Sequence, residues 1–193
     1  MSRFITISAI AASYFVFAIL LNSVGTVILQ SIHSFDISKP QASSLEGFKD
    51  LSIAFVCFIV ASLIPRIGYK VALLAGLTIV AIACLFTPFV GNFLIIKLLF
   101  ACIGASFALV KVAVYSIIGQ LSNSIKSHSS LLNTIEGIFM VGSLAGYWLF
   151  SIYVDPDAPK SIGWLNVYYP LTGMIVLTLI LVDFSSIDKT EQI

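Results

Sequence analysis

The stretch Leu63-Ile64-Pro65-Arg66-Ile67-Gly68-Tyr69-Lys70-Val71-Ala72 joins two long apolar runs through a very short polar link. The chain leaves one run, is expected to turn on Pro65 and Gly68, places Arg66 and Lys70 in the turn, and enters the next run. A tight basic turn between two membrane spans fixes a side of the membrane.

Composition extends this reading to the whole chain. Of the 193 residues, 59% are hydrophobic and only 10% charged, and the mean hydropathy is +1.07. A soluble domain cannot hide that much apolar surface, so the chain reads as a polytopic membrane protein with the lipid bilayer as its solvent. The net charge of +1 points to no nucleic-acid partner. Cys57, Cys84 and Cys102 all sit inside apolar runs. They read as packing or lipid-facing residues, neither a disulfide framework nor a metal site. No cofactor is expected. The first apolar run begins after Arg3 and continues to about Ile32, too long for a cleaved signal.

Six apolar segments follow, at about 4–32, 44–64, 71–90, 93–121, 130–153 and 164–183. Each meets the roughly 20 residues a helix needs to cross the hydrocarbon core. The runs are continuous, not alternating, so the expected fold is an all-α membrane protein, one six-helix domain over 1–193. With the N-terminus inside, the inner segments hold Arg3, Arg66, Lys70, Lys126 and Lys189, and the outer loops only Lys39 and Lys160. This bias places both termini in the cytoplasm, in a cell (plasma or inner) membrane. Trp164, Tyr168 and Tyr169 enter the sixth span at the outer interface. His33 and His128 read as loop residues.

Ionisable groups within spans are expensive and point to function. Asn22, Thr26 and Gln30 recur every fourth residue in the first span and make one face polar. They either line a cavity or join helices by hydrogen bonds. Glu46, Lys49 and Asp50 share a face at the start of the second span, as a solvated helix end or as part of a cavity. Lys97 lies near the outer end of span four, where its ammonium can reach the headgroups. Lys111 is about 15 Å from the inner end of that span at 1.5 Å per residue, and Glu136 about 10 Å from the inner end of the next. Their depths are similar, so they form an ion pair, either purely structural or functional, or share a wet cavity.

The order of spans repeats as polar, charged near its start, apolar, and then the same again. Span two begins Ser43-Ser44-Leu45-Glu46-Gly47, and span five carries Ser129-Ser130-Leu131 and then Glu136-Gly137. Three spans separate the two, so they enter from opposite faces. This is the pattern of a 3+3 inverted repeat, common among secondary transporters.

The segment Ala61-Ser62-Leu63-Ile64-Pro65-Arg66-Ile67-Gly68-Tyr69-Lys70-Val71-Ala72-Leu73 resembles the loop between helices two and three of the major facilitator superfamily. That pattern reads Gly-x-Leu-Ala-Asp-Arg-x-Gly-Arg-Lys-x-x-Leu. Leu63, Arg66, Gly68, Lys70 and Leu73 match it; Pro65 replaces the Asp and Tyr69 an Arg. Ser130-Leu131-Leu132-Asn133-Thr134-Ile135-Glu136-Gly137 is similar to the start of helix five in fucose-type sugar:proton symporters. The resemblance covers the chain as the N-terminal six-helix half of such a transporter. It implies a solute cavity lined by spans one, two, four and five, with three and six toward lipid. It also implies a gating loop at Arg66, Gly68 and Lys70, and that the chain either is a fragment or truncated form of a twelve-helix transporter or pairs with a second six-helix half or as a homodimer.

The expected function is therefore alternating-access transport of a small polar solute, a sugar or related metabolite. Asn22, Thr26, Gln30, Asp50, Lys111, Asn133 and Glu136 are the candidate solute contacts. A basic Lys111 could instead favour an anionic solute. The alternative is a six-helix substrate-binding subunit of an energy-coupled vitamin importer. An enzyme is not expected: Gly104-Ala105-Ser106 is a faint serine motif, but no His lies in any span to serve as base. Epitope tags at the two termini should both resist protease added to the outside of sealed cells. Cleavage of either tag from outside would contradict the inferred orientation.

Overall fold

The computed structural model describes residues 2–187, and Lys189 lies outside them. Its helices are α1 (Ser2–Asn22), α2 (Val24–Phe35), α3 (Lys39–Ile67), α4 (Tyr69–Val90), α5 (Phe93–Leu121), α6 (Ile125–Tyr153) and α7 (Tyr168–Phe184), the last led in by a 3-10 turn over Gly163–Val167. α1 and α2 form one span over Arg3–Phe35, and the chain presents six helical segments long and apolar enough to cross a membrane. This is the architecture of a multi-pass membrane protein. The junction at Ser23 keeps its backbone bonds, Ser23 N–H to Ile19 O and Val27 N–H to Ser23 O. Its hydroxyl turns back onto Leu20 O at 2.8 Å, the kind of local bond that bends a helix.

Local chemistry sets the helix ends. The Asn92 side chain accepts from Ile95 N–H at 2.9 Å and starts α5; Ser124 accepts from Ser127 N–H at 3.2 Å and starts α6. Gln41 reaches back to Ser38 N–H at 3.2 Å at the head of α3. These caps lie upstream of the first apolar residue, so α3 and α6 begin five residues earlier than hydropathy indicated. Two expectations change as a result. Glu46, Lys49 and Asp50 sit two to three turns inside α3 instead of at its start. His128 lies in the first turn of α6, and His33 in the last turn of α2, not in loops.

The basic link is also tighter than expected. α3 runs through Pro65, and the turn is made by Gly68 alone, at φ 92° and ψ 144°. Only glycine adopts that conformation without strain. Pro65 sits in the last helical turn, where its missing N–H costs one bond.

Two helices organise the bundle. α3 and α4 both pack on α5, while α6 and α7 both pack on α1; α4 against α7 and α1 against α5 join the two groups. The closest approaches fall at glycines. A Cβ at Gly104 of α5 would run into the Lys49 carbonyl of α3, and one at Gly142 of α6 would meet Phe15 O of α1 at 2.7 Å. Without a hydrophobic drive between helices in lipid, such small-residue contacts let backbones touch and gain dispersion energy. α3 and α6 are the least covered spans: 17% and 22% of their most apolar stretches are buried, against 39% and 44% in the third and sixth spans. The third and sixth spans thus pack on each other, so lipid is not their only neighbour.

Gly104→Val should force α3 off α5 and cost about 1–3 kcal/mol, as overpacking does. Thermal unfolding in detergent checks this, with Gly119→Ala as control, because a Cβ at Gly119 meets nothing within 4 Å. Equal midpoints for both variants would contradict the packing argument.

Candidate functional site: a polar cleft at mid-span

A cleft of about 340 Å³ opens between α5 and α6 and is floored by α1. Tyr14, Phe107, Lys111, Tyr115, Leu132, Asn133, Glu136 and Phe139 line it. On α5, Phe107, Lys111 and Tyr115 are four residues apart and share one stripe. On α6, Asn133 and Glu136 are one turn apart, with Leu132 and Phe139 flanking them. The capped start of α6 places Glu136 eleven residues from Ile125, about 16 Å of rise, and Lys111 is ten residues from Leu121, about 15 Å. The two charges therefore sit nearly level along their two helices.

They do not touch each other. Among the described residues the ion pairs are Lys49–Asp50 and Lys70–Asp183. Tyr115 stands between the two cleft charges. Its hydroxyl donates to Glu136 Oε1 at 2.7 Å, and its ring centroid lies 5.7 Å from Lys111 Nζ. Phe107 presents its ring to the same ammonium at 5.7 Å. The aromatic faces attract the cation without neutralising it. Of the two readings of Lys111 and Glu136, the geometry selects a shared cleft over an ion pair.

Aromatic rings make the wall rigid. Tyr14 packs against Phe107, Tyr115 and Phe139 at centroid distances of 6.1, 6.4 and 5.8 Å. Its hydroxyl is buried and faces the Tyr115 hydroxyl. A buried hydroxyl needs a polar neighbour to offset its desolvation, and here the two tyrosine hydroxyls border the cleft. Tyr14, Phe107, Tyr115 and Phe139 were not among the expected contacts. The stripe at 107, 111 and 115 was visible as spacing on one helix. Tyr14 comes from another helix and had no local signal.

The other expected contacts lie elsewhere. Asn22 Nδ2 donates to Ser143 Oγ of α6 at 2.9 Å and to Ala18 O at 2.9 Å, so it joins helices. Thr26, on α2, is half-buried and does not line the cleft. Gln30 borders a separate recess of about 270 Å³ with Tyr153, Asp155, Ser161 and Trp164. Asp50 is exposed on α3 and pairs with Lys49 at 3.5 Å. Lys49 is the buried member of that acidic and basic group. Lys97 lies 4.7 Å from the Phe93 ring centroid, as suits an interfacial anchor.

In the loop, Arg66 is exposed, whereas Lys70 donates to Asp183 O at 2.7 Å and Ser185 O at 3.3 Å. A cation on the last carbonyls of α7 satisfies orphan acceptors and opposes the helix dipole. Arg3 does the same for α5 at Leu121 O, 2.9 Å. Among the described residues no three His, Cys, Asp or Glu side chains gather in a way that could hold a metal ion.

No family model matches this sequence. No curated protein matches it either.

Tyr115→Phe removes the donor to Glu136 and should lower detergent stability by about 0.5–1.5 kcal/mol. Tyr14→Phe removes only the neutral contact to the Tyr115 hydroxyl and should cost less. Thermal unfolding of the two variants side by side checks the contrast, and the reverse order would contradict the geometry.

Proposed function

We propose that this chain is a six-helix half of an alternating-access transporter for a small polar solute, a sugar or related metabolite. The observation that carries the reading is the cleft itself. A lysine, a carboxylate and an amide face one opening at mid-span in a bundle whose exterior is apolar. Charges at that depth are costly in lipid and belong beside water, substrate or protein.

Three further observations support it. The packing pattern is preserved when spans one to three are exchanged for four to six: α3 and α4 on α5 become α6 and α7 on α1. That exchange is what a 3+3 inverted repeat requires. The cleft is lined by spans one, four and five, three of the four that the resemblance to the major facilitator superfamily assigns to a cavity. Finally, α3 and α6 leave large apolar faces uncovered, with Leu51, Phe55 and Phe58 on one and Leu144, Tyr147 and Trp148 on the other. A second six-helix half or a second copy of the chain would cover these faces and close the open side of the cleft. Rocking of the two halves would then expose the solute alternately to each side of a cell membrane, with both termini cytoplasmic.

In this account Lys111, Asn133 and Glu136 contact solute, with Tyr115 holding Glu136 in place. Asn22 and Lys70 hold the half together, and Gly68 shapes the link that sets α3 against α4. Lys111→Ala and Glu136→Gln should each weaken solute binding by about tenfold or more, the worth of a hydrogen bond to a charged group. Equilibrium binding to the purified variants tests this, and unchanged affinity in both would contradict it. Reconstituted vesicles holding the chain alone should show little uptake, because half of the solute site is absent.

A further inference from the structure

We infer that the solute carries a carboxylate and that Lys111 receives it. The inference rests on the proposed transport reading of the cleft and narrows the chemistry of its ligand. The Lys111 ammonium has three donors. Among the described residues it makes no ion pair, and no acceptor takes a hydrogen bond from it; its near neighbours are the faces of Phe107 and Tyr115. Glu136 is in the opposite condition, because Tyr115 already donates to it at 2.7 Å. The Tyr14 hydroxyl, on a residue 1% exposed, borders the same space beside the Tyr115 hydroxyl. The largest unused hydrogen-bonding capacity in the cleft is thus the Lys111 ammonium, which carries a full charge.

A ligand complementary to that arrangement presents acceptor oxygens and a negative charge to Lys111. One lysine suits a monoanion; a phosphate dianion is better matched by several cations or the fork of an arginine. The rings of Tyr14, Phe107 and Phe139 offer an apolar wall, so the body of the solute has a face of carbon or C–H groups. Asn133 and the second oxygen of Glu136 remain for a hydroxyl or amine at its other end. The volume of about 340 Å³ suits a single metabolite and no oligomer. With the carboxylate on Lys111, Glu136 becomes the uncompensated charge. A zwitterion meets it with its own ammonium, and a hydroxy acid with a hydroxyl; both are carboxylates held by Lys111.

The test uses the purified chain and matched probes differing in the carboxylate: D-glucuronate with D-glucose, benzoate with benzyl alcohol, and L-phenylalanine with L-phenylalaninol. Ligand-induced shifts of the unfolding midpoint are the readout. At least one acid should raise the midpoint while its carboxylate-free partner does not. Lys111→Gln should weaken that acid by about tenfold or more, while Lys111→Arg keeps it within a few-fold. Lys111→Gln removes an unpaired charge, so the fold tolerates it. A shift from carboxylate-free members alone, or one that Lys111→Gln leaves unchanged, overturns the inference and leaves a solute site in place. No shift from any probe overturns the inference, and the transport reading falls with it if the Lys111→Ala and Glu136→Gln variants also behave as the parent chain. Phenylalanine stabilising where glucuronate does not identifies the zwitterion, and the reverse identifies the hydroxy acid.

Discussion

The close seating of α6 on α1 is the constraint on which the rest of the molecule depends. Gly142 lets the α6 backbone approach Phe15 O, and the Asn22–Ser143 bond holds the same helix pair. That seating carries Asn133 and Glu136 to the rim of a space whose floor is Tyr14 of α1. On the other side, Gly104 seats α3 on α5, and α5 presents Lys111 into the same space. A larger side chain at Gly142 would push α6 off α1, and Asn133 and Glu136 would lose their place on the cleft.

The energetics of that cleft differ from those of a buried salt bridge. A lysine and a glutamate at membrane depth normally relieve their desolvation by pairing. Here Tyr115 separates them, giving its hydroxyl to the carboxylate and its ring to the ammonium. The carboxylate is served and the ammonium is held without being neutralised. Such an arrangement keeps binding capacity available at the cost of stability, the usual compromise at a functional site. The exterior follows the opposite rule, because α3 and α6 expose aromatic and aliphatic side chains that suit lipid or another bundle.

Much of this fold was legible in the order of residues. Continuous apolar runs separated by short polar links marked all six spans, because a helix in lipid must be apolar along its whole length. Helix ends were misplaced where capping residues lie outside the apolar run, as at Ser38 and Ser124. Hydropathy does not register a cap. Pro65 read as a turn residue, yet one proline in a last helical turn is tolerated and Gly68 alone turns the chain. Lys111, Asn133 and Glu136 were visible as polar residues in apolar spans. Asn22, Gln30 and Asp50 carried the same signal but point elsewhere, since periodicity tells which residues share a face and not what that face meets. Tyr14 and Phe139 look like ordinary core aromatics until helices from distant parts of the chain are brought together.

Water access to the cleft from one side of the membrane is the most direct measure of this account. In a chain with Cys57, Cys84 and Cys102 replaced, single cysteines at Asn133, Glu136 and Lys111 would be exposed to a membrane-impermeant thiol reagent. Cysteines at Phe86 and Leu98, on the apolar exterior of α4 and α5, serve as controls. The account predicts labelling at all three cleft positions and none at the controls. Labelling no faster than at Phe86 and Leu98 would mean a dry cleft and would contradict a solute site there.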